Sequence, residues 1–299
     1  LAQKVLDAET VPLLVLCIQE PEITLKRISA SAMSDVCKHT PELAQAVVDA
    51  GAVAYLSPLI THPDSKLKRQ VRSREPVEGG WRRGSGDAAA AEATRKGQWS
   101  YNRIAYRQIA KHSVDLAEVV VEAEVFPNIL KCLRDSDLYV RKNAATCIRE
   151  VAKHTPELAK LVVNSGGAAA LVDYGNAKLP GVMALGYIAA FSETLALAVI
   201  VSKGVAPLKD ALVVEPEDHI KAACAWSLGH IGRHSPDHAR ALAEGDVLRH
   251  LLACMIHDDS SDDLRTKSKR ALKAILSKCT HLQALQPLLR DSPVKVQKY

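Results

Sequence analysis

Apolar residues recur at helical spacing along short segments of this chain, and turn residues divide these segments into groups of three. In residues 113–154 the first segment places apolar side chains at Leu116, Ala117, Val120 and Val121. Pro127 ends this segment and begins a second over residues 128–133, and an acidic turn at residues 135–137 precedes a third over residues 140–153. This spacing predicts three helices, each with one buried face.

A short phrase marks the junction between successive groups. It reads KHTPELA at residues 38–44, KHSVDLA at 111–117, KHTPELA at 153–159 and RHSPDHA at 233–239. His112 and His154 are 42 residues apart, and the next steps, through Phe191 to His234, are 37 and 43 residues. This period is typical of armadillo and HEAT solenoids. Three helices per unit favour an all-α armadillo-repeat solenoid, a right-handed superhelix with repeats of about 42 residues.

The phrase also predicts where the first helix of each repeat begins. A Ser or Thr can accept hydrogen bonds from free amides at a helix start, and proline is tolerated at the first helical position. We expect N-caps at Thr40, Ser113, Thr155 and Ser235. The third helices are predicted over residues 25–38, 140–153, 179–190, 220–233 and 264–278. Trp226 and the leucines of these helices are expected to be core residues.

The organisation predicted for residues 1–299 is a single armadillo array. Its parts are a partial repeat 1–39, a repeat 40–112, a repeat 113–154, a shortened repeat 155–191, repeats 192–234 and 235–279, and a partial repeat 280–299. Residues 72–107 interrupt the second of these with five of the 15 glycines. We predict a disordered insertion or a retained non-coding segment there; a basic loop that grips a partner through Trp81 and Trp99 is the alternative.

Composition limits the class of protein. The chain has 299 residues, is 47% hydrophobic and only 4% aromatic, and has a formal charge of +5. No apolar run is long enough for a bilayer, so no membrane partner is expected. The seven cysteines form no CxxC pair, which favours reduced core residues inside the cell. The mild basicity favours acidic partners without requiring nucleic acid, and no nucleic-acid partner is expected. The chain begins with Leu1, and we expect a fragment of a longer protein.

Catalytic motifs are missing from the sequence. It contains no glycine-rich phosphate loop, no nucleophile motif and no metal-ligand spacing, so we expect no enzyme activity, no cofactor and no small-molecule substrate. The best metal candidate is His230, His234 and His238, but Pro236 ends the helix between the second and third of them. We interpret His234, like His39, His112 and His154, as a cap at a helix C-terminus.

A column of cations begins the third helices. Thirteen residues before each marker position the chain has Lys26, Arg141, Lys178 and Lys221, and Lys68 takes the same place in the interrupted repeat. Arg27, Arg69 and Lys142 add a second cation in three repeats. We hypothesise that these eight residues, the basic stripe, bind an extended acidic partner. The alternative is that these cations lie in solvent at the helix start and interact only with the carboxylates of the preceding acidic turn.

Four segments resemble the sperm-associated antigen family of armadillo proteins, which belong to the central pair of motile cilia and flagella. They are residues 12–49, 113–126, 179–204 and 215–239. The most specific sequence is SKGVAPLKDALVVEPEDHIKAA at residues 202–223. The resemblance implies a non-catalytic scaffold of the axonemal central apparatus that is needed for structural integrity and motility. It also implies tubulin or central-apparatus proteins as partners, and a location in the cytoplasm and cytoskeleton, at the axoneme.

Two other functions stay open. The first is a peptide-binding adaptor, which in armadillo proteins uses a row of asparagines on successive third helices. The matching positions here contain Asp35, Gln108, Glu150, Tyr187, His230 and Ile275, so that row is missing. The second is a regulatory subunit that positions a kinase or a ubiquitin ligase.

Overall fold

The computed structural model describes residue 4 and residues 9–61, 101–123, 125–173 and 178–280. Within this part of the chain the regular elements are helices, and there is no strand. The chain divides into two compact units, residues 1–147 and residues 148–299. The architecture agrees with the predicted all-α armadillo-type fold.

Unit 1 comprises residues 1–147. Its helices are α1 (Thr10–Gln19), α2 (Ile23–Cys37), α3 (Pro41–Asp49), α4 (Ala52–Leu56), a 3-10 turn (Ser57–Thr61), α5 (Tyr101–Ala110), α6 (Val114–Glu122), α7 (Phe126–Cys132) and the first part of α8 (Leu138–Ala152). The third helices α2 and α5 pack directly against each other.

Unit 2 comprises residues 148–299 and receives the last part of α8. Its helices are α9 (Pro156–Asn164), α10 (Gly167–Asp173), α11 (Lys178–Phe191), α12 (Glu193–Val201), α13 (Val205–Val214), α14 (Asp218–Gly232), α15 (Pro236–Glu244), α16 (Val247–Ile256) and α17 (Asp262–Leu276). The third helices α11, α14 and α17 pack in succession, and shorter first and second helices lie against them.

Side-chain caps begin the first helices as predicted. The hydroxyls of Thr40, Ser113, Thr155 and Ser235 each accept a backbone N–H three residues later, over 3.2–3.4 Å. Ser192 and Ser261 cap α12 and α17 in the same way. The five predicted third helices are confirmed to within two residues at each end.

The predicted bound of the insertion at Arg107 is wrong. Helix α5 begins at Tyr101, so residues 101–107 belong to a third helix. Tyr106 is fully buried and donates a hydrogen bond from its hydroxyl to the carbonyl of Val53, 2.8 Å away. This hydrogen bond gives the buried hydroxyl of Tyr106 a partner, so the aromatic side chain can lie in the core. Residues 72–100 lie outside the described residues.

Two glycines allow the third helices of unit 2 to approach closely. A Cβ at Gly186 would lie 2.4 Å from the hydroxyl of Ser227, and one at Gly229 would lie 2.9 Å from the Cα of Ala271. Gly186 thus lies against Ser227 and the indole of Trp226, and Gly229 lies against Ala271, at corresponding points of the α11–α14 and α14–α17 contacts. They fix the register of α11, α14 and α17, and with it the positions of the exposed side chains between them.

Candidate interaction surface

The cations that begin the third helices make local hydrogen bonds. The Lys26 ammonium donates to the carbonyl of Ile18 over 3.2 Å, and the Arg141 guanidinium donates to the carbonyl of Asp135 over 2.8 Å. Arg265, in the corresponding position of α17, donates to the carbonyl of His257 over 3.0 Å. Each cation therefore joins a third helix to the residues that end the element before it. Because a carbonyl carries no net charge, these bonds leave the positive charge uncompensated.

Arg265 was missed by the sequence argument, although it lies 44 residues after Lys221. The third helix of the last repeat does not end in the common phrase, so the phrase could not align Arg265 with Lys221. The spacing to the preceding cation was the signal that could have identified it.

The other residues of the basic stripe are placed less uniformly. Unit 1 contains Arg27, which is half-buried, and Lys142, which is exposed. Lys221 of unit 2 is half-buried near Asp218, a carboxylate that accepts the backbone N–H of Ser261 over 2.6 Å. That hydrogen bond is the largest influence that lowers the pKa of Asp218, and a hydrogen bond from the Ser261 side chain and the charges of Lys221 and His257 lower it further. Lys68, Arg69 and the side chain of Lys178 lie outside the described residues.

The repeated basic–histidine dipeptide connects consecutive third helices. In unit 1, the Lys111 ammonium donates to the carbonyl of Lys38 and Nε2 of His112 donates to the carbonyl of Cys37, each over 2.7 Å. The same pair of bonds recurs in unit 2. Arg233 donates to the carbonyl of Ala190 over 2.5 Å, and His234 donates to that of Ala189 over 2.7 Å. The capping role is thus observed for His112 and His234, with one correction: the capped helix belongs to the preceding repeat.

The three histidines proposed as metal candidates do not converge. Nε2 of His234 is engaged by the carbonyl of Ala189, and the rings of His234 and His238 are 6.3 Å apart. In the described part of the chain, no group of three His, Cys, Asp or Glu side chains is arranged to hold a metal ion.

An aromatic cluster lies on the third helices of unit 2. The ring of Trp226 contacts Tyr187 at 5.1 Å and His230 at 4.6 Å between centroids, both edge to face. All three side chains are half-buried. The prediction that Trp226 is a core residue is therefore only partly right: one region of its indole packs over Gly186, and the rest reaches solvent.

Burial changes the acid–base behaviour of His230. Desolvation, reinforced by the charges of Arg233 and His234, lowers the pKa of His230 to about 4. Desolvation also lowers the pKa of His234, although its hydrogen bond to Ala189 opposes this. At neutral pH the aromatic cluster therefore contains an uncharged imidazole, and its positive charge comes from arginine.

A cavity of about 40 Å³ lies in unit 2 beneath the third helices. It is lined mainly by aliphatic residues, among them Val182, Leu185 and Leu208, together with Glu215. Sites for small molecules usually enclose about 300–1,000 Å³, so this cavity is too small for an organic ligand. The exposed faces of the helices are the better candidates for function.

Comparison with known sequences gives one family model and two curated relatives. A HEAT repeat model matches residues 125–155. Sperm-associated antigen 6 of Homo sapiens is 56% identical over 92 residues, which is 31% of this chain and 18% of that protein. Sperm-associated antigen 6 of Mus musculus gives the same identity and coverage. The chain therefore resembles sperm-associated antigen 6, over a stretch that spans less than a fifth of these relatives.

Solved structures share the fold. An engineered protein superposes with a TM-score of 0.74 at 19% identity, covering 89% of this chain and 98% of that one. A designed armadillo repeat protein in complex with the peptide (KR)4 superposes with a TM-score of 0.73 at 17% identity, covering 89% of this chain and 99% of that one. At this identity the likeness shows an armadillo-type helical-repeat fold and nothing of function. None of the described helices is both long and apolar enough to cross a membrane.

Proposed function

We propose that this armadillo-type chain, which resembles sperm-associated antigen 6, is a non-catalytic scaffold of the axonemal central apparatus of cilia and flagella. In this role it associates with central-pair microtubules and is needed for the structural integrity and motility of the cilium or flagellum. The observation that carries the proposal is the 56% identity over 92 residues. An identity at this level goes well beyond the 17–22% that the fold alone produces among the helical-repeat structures.

The mode of action that we propose is binding to extended acidic segments through the basic stripe. Lys26 and Arg141 are fixed by their bonds to backbone carbonyls, so little side-chain entropy remains to be lost when a carboxylate approaches. Their positive charge is unmatched by those bonds. A partner with a line of carboxylates, such as the acidic surface of a microtubule, would be attracted in a salt-dependent way.

The test is co-sedimentation of the purified chain with stabilised microtubules across a salt series, with intact and tail-cleaved tubulin side by side. The wild-type chain should pellet with intact microtubules at low salt and be released as salt rises, because screening weakens exposed charge pairs. Neutralising three stripe residues should reduce the bound fraction about tenfold at low salt. The triple variant is Lys26→Gln, Arg141→Gln and Lys221→Gln, in which each amide keeps a hydrogen-bond donor.

A matched variant controls for net charge. It neutralises three cations on first and second helices, namely Lys131→Gln, Lys160→Gln and Arg249→Gln, and should pellet like the wild type. Equal pelleting of the wild type and the stripe variant would show that the stripe does not bind. A folded wild-type chain that never pellets would contradict direct microtubule association.

An adaptor or regulatory subunit for a kinase or a ubiquitin ligase is the alternative function. One designed armadillo neighbour was solved in complex with the peptide (KR)4, so a helical-repeat surface of this fold is able to hold an extended peptide. Affinity purification from ciliated cells distinguishes the two. Stoichiometric recovery of tubulin and axonemal proteins supports the scaffold, whereas stoichiometric recovery of a catalytic subunit supports the adaptor.

A further inference from the structure

The outward face of the first helix α12 in unit 2 differs from that of the other first helices. In α12 the fifth and ninth helical residues are Leu197 and Val201, which are 47% and 72% exposed. The same two positions are exposed and polar elsewhere: Gln45 and Asp49 on α3, Glu118 and Glu122 on α6, Lys160 and Asn164 on α9, and Arg240 and Glu244 on α15.

Apolar residues also flank the exposed pair on α12. Ala198 and Ile200 are half-buried and lie on either side of Leu197 and Val201 around the helix. We call these four residues the α12 apolar face. On α15 the corresponding positions are joined by a hydrogen bond from Arg240 to Glu244 over 2.7 Å, which suits a face in water. A helix that is apolar on all sides is normally covered on all sides.

We propose that the α12 apolar face docks an amphipathic α-helix of a partner protein, which lies antiparallel to α12. This surface belongs to the outer layer of first helices. It is therefore separate from the basic stripe, which lies at the starts of the third helices.

The chemistry of the α12 apolar face favours a helix as its occupant. None of its four side chains can form a hydrogen bond. An extended segment laid on them would lose water from its backbone N–H and C=O groups without gaining partners, whereas a helix satisfies these groups internally. Leu197 and Val201 are four residues apart, and rows of this spacing on two helices pack into each other.

Charges at the two ends of the α12 apolar face favour one direction. Glu193 begins α12 and Lys203 follows its end, and both are exposed. Within the described residues the Lys203 ammonium makes no hydrogen bond or ion pair. An antiparallel partner helix brings acidic residues of its first turn to Lys203 and basic residues of its last turn to Glu193. The same order of charges stabilises the two ends of the partner helix itself.

The size of the α12 apolar face favours a single docked helix over a second copy of the chain. A stable dimer buries about 800 Å² on each chain. The face consists of four side chains on a helix of nine residues, about 13 Å long. A slender helix can cover a strip of this size, and the contact should be reversible.

Fluorescence anisotropy with labelled helical peptides tests the proposal on the full chain. The probe is EEELAEALAKLAKKK, with a lactam bridge between its sixth and tenth residues that keeps it helical and lies opposite its leucines. It should bind at least about fivefold more tightly than EEEQAEAQAKQAKKK, which lacks the apolar row. It should also bind about threefold more tightly than KKKLAEALAKLAEEE, in which the charged ends are exchanged.

Variants of the chain locate the binding site. The double variant Leu197→Lys and Val201→Asn should weaken binding of the probe about tenfold. Its melting temperature should not fall, because α9 has lysine and asparagine at the same two positions. Lys203→Glu should weaken binding about threefold, since it replaces an attraction with a repulsion.

Val213→Lys together with Val214→Asn is the matched control. Both valines end α13 and are 57% and 78% exposed, so the control removes a similar amount of exposed apolar surface from another helix of unit 2. It should change the affinity less than twofold. The triple stripe variant should bind the probe like the wild type, which keeps this result independent of the microtubule test.

Four results would overturn the proposal. The first is a folded wild-type chain that does not bind the probe, and the second is equal affinity of the wild type and the α12 double variant. The third is equal weakening by the α13 control, which would mean that any exposed apolar surface suffices. The fourth is a wild-type dimer in light scattering that the α12 double variant dissociates, since the occupant would then be a second copy of the chain.

Discussion

At the scale of single residues, His230 makes the stability of the fold depend on pH. Its ring lies against Trp226, and burial together with the charges of Arg233 and His234 lowers its pKa from 6.5 to about 4. The unfolded chain therefore binds a proton at a higher pH than the folded chain does. The stability that comes from the neutral ring is fully present above about pH 6.5 and is lost as the pH falls toward 4.

His230→Gln should remove this dependence, because glutamine does not titrate. We expect the free energy of unfolding of the wild type to fall by about 1 kcal/mol more between pH 7 and pH 5 than that of His230→Gln, a figure discounted for the partly exposed ring. Urea unfolding at the two pH values measures the difference. His219→Gln, which changes a mainly exposed ring, should behave like the wild type, and an unchanged pH slope in His230→Gln would contradict the account.

At the scale of elements, the basic–histidine dipeptide is a device that joins repeats. It occurs at the end of one third helix and donates to the carbonyls at the end of the third helix of the preceding repeat. In unit 1 the donors are Lys111 and His112, and in unit 2 they are Arg233 and His234. These carbonyls are among the groups that a helix leaves without intrahelical partners. The dipeptide thereby contributes to stacking as well as to capping.

His234→Ala should lower the free energy of unfolding by about 1–1.5 kcal/mol, since it deletes one hydrogen bond and leaves the Ala189 carbonyl unpaired. Chemical denaturation at pH 7.5 measures this loss. His219→Ala provides the comparison and should stay within about 0.5 kcal/mol of the wild type. Equal stability of His234→Ala and the wild type would mean that water replaces the imidazole at no cost.

Local signals allowed much of this element structure to be predicted. Thr40 and Ser235 carry a cap and a proline that act within one turn, so the first helices could be located from the sequence. The helix at residues 101–107 could not, because the long insertion conceals its alignment and the hydrogen bond of Tyr106 to Val53 joins residues 53 apart. Contacts of that range leave no local pattern.

The candidate surfaces were predictable only in part. The spacing of Lys26 and Arg141 identified a shared position, but nothing in the sequence indicated that both side chains bond to backbone carbonyls. Trp226 followed the apolar period and was assigned to the core. Its partial exposure depends on the neighbouring helix, where Gly186 lets the indole lie over the backbone instead of between helices.

At the scale of the whole molecule, the described residues form a helical-repeat fold whose exposed faces are the candidates for function. Its formal charge is +5, and the proposed basic stripe would favour acidic partners. Extended repeat surfaces suit long, irregular partners, because each repeat adds a small and similar contribution. The proposed scaffold role would use contacts of this kind.

Imaging of the fluorescently tagged chain in motile ciliated cells is the most direct test of that role. We expect the tag to lie along the axoneme, and to be lost from axonemes that lack the central pair while the outer doublets remain. A tag that stays on the doublets of such axonemes, or that never enters the cilium while a tagged full-length relative does, would contradict the proposed function.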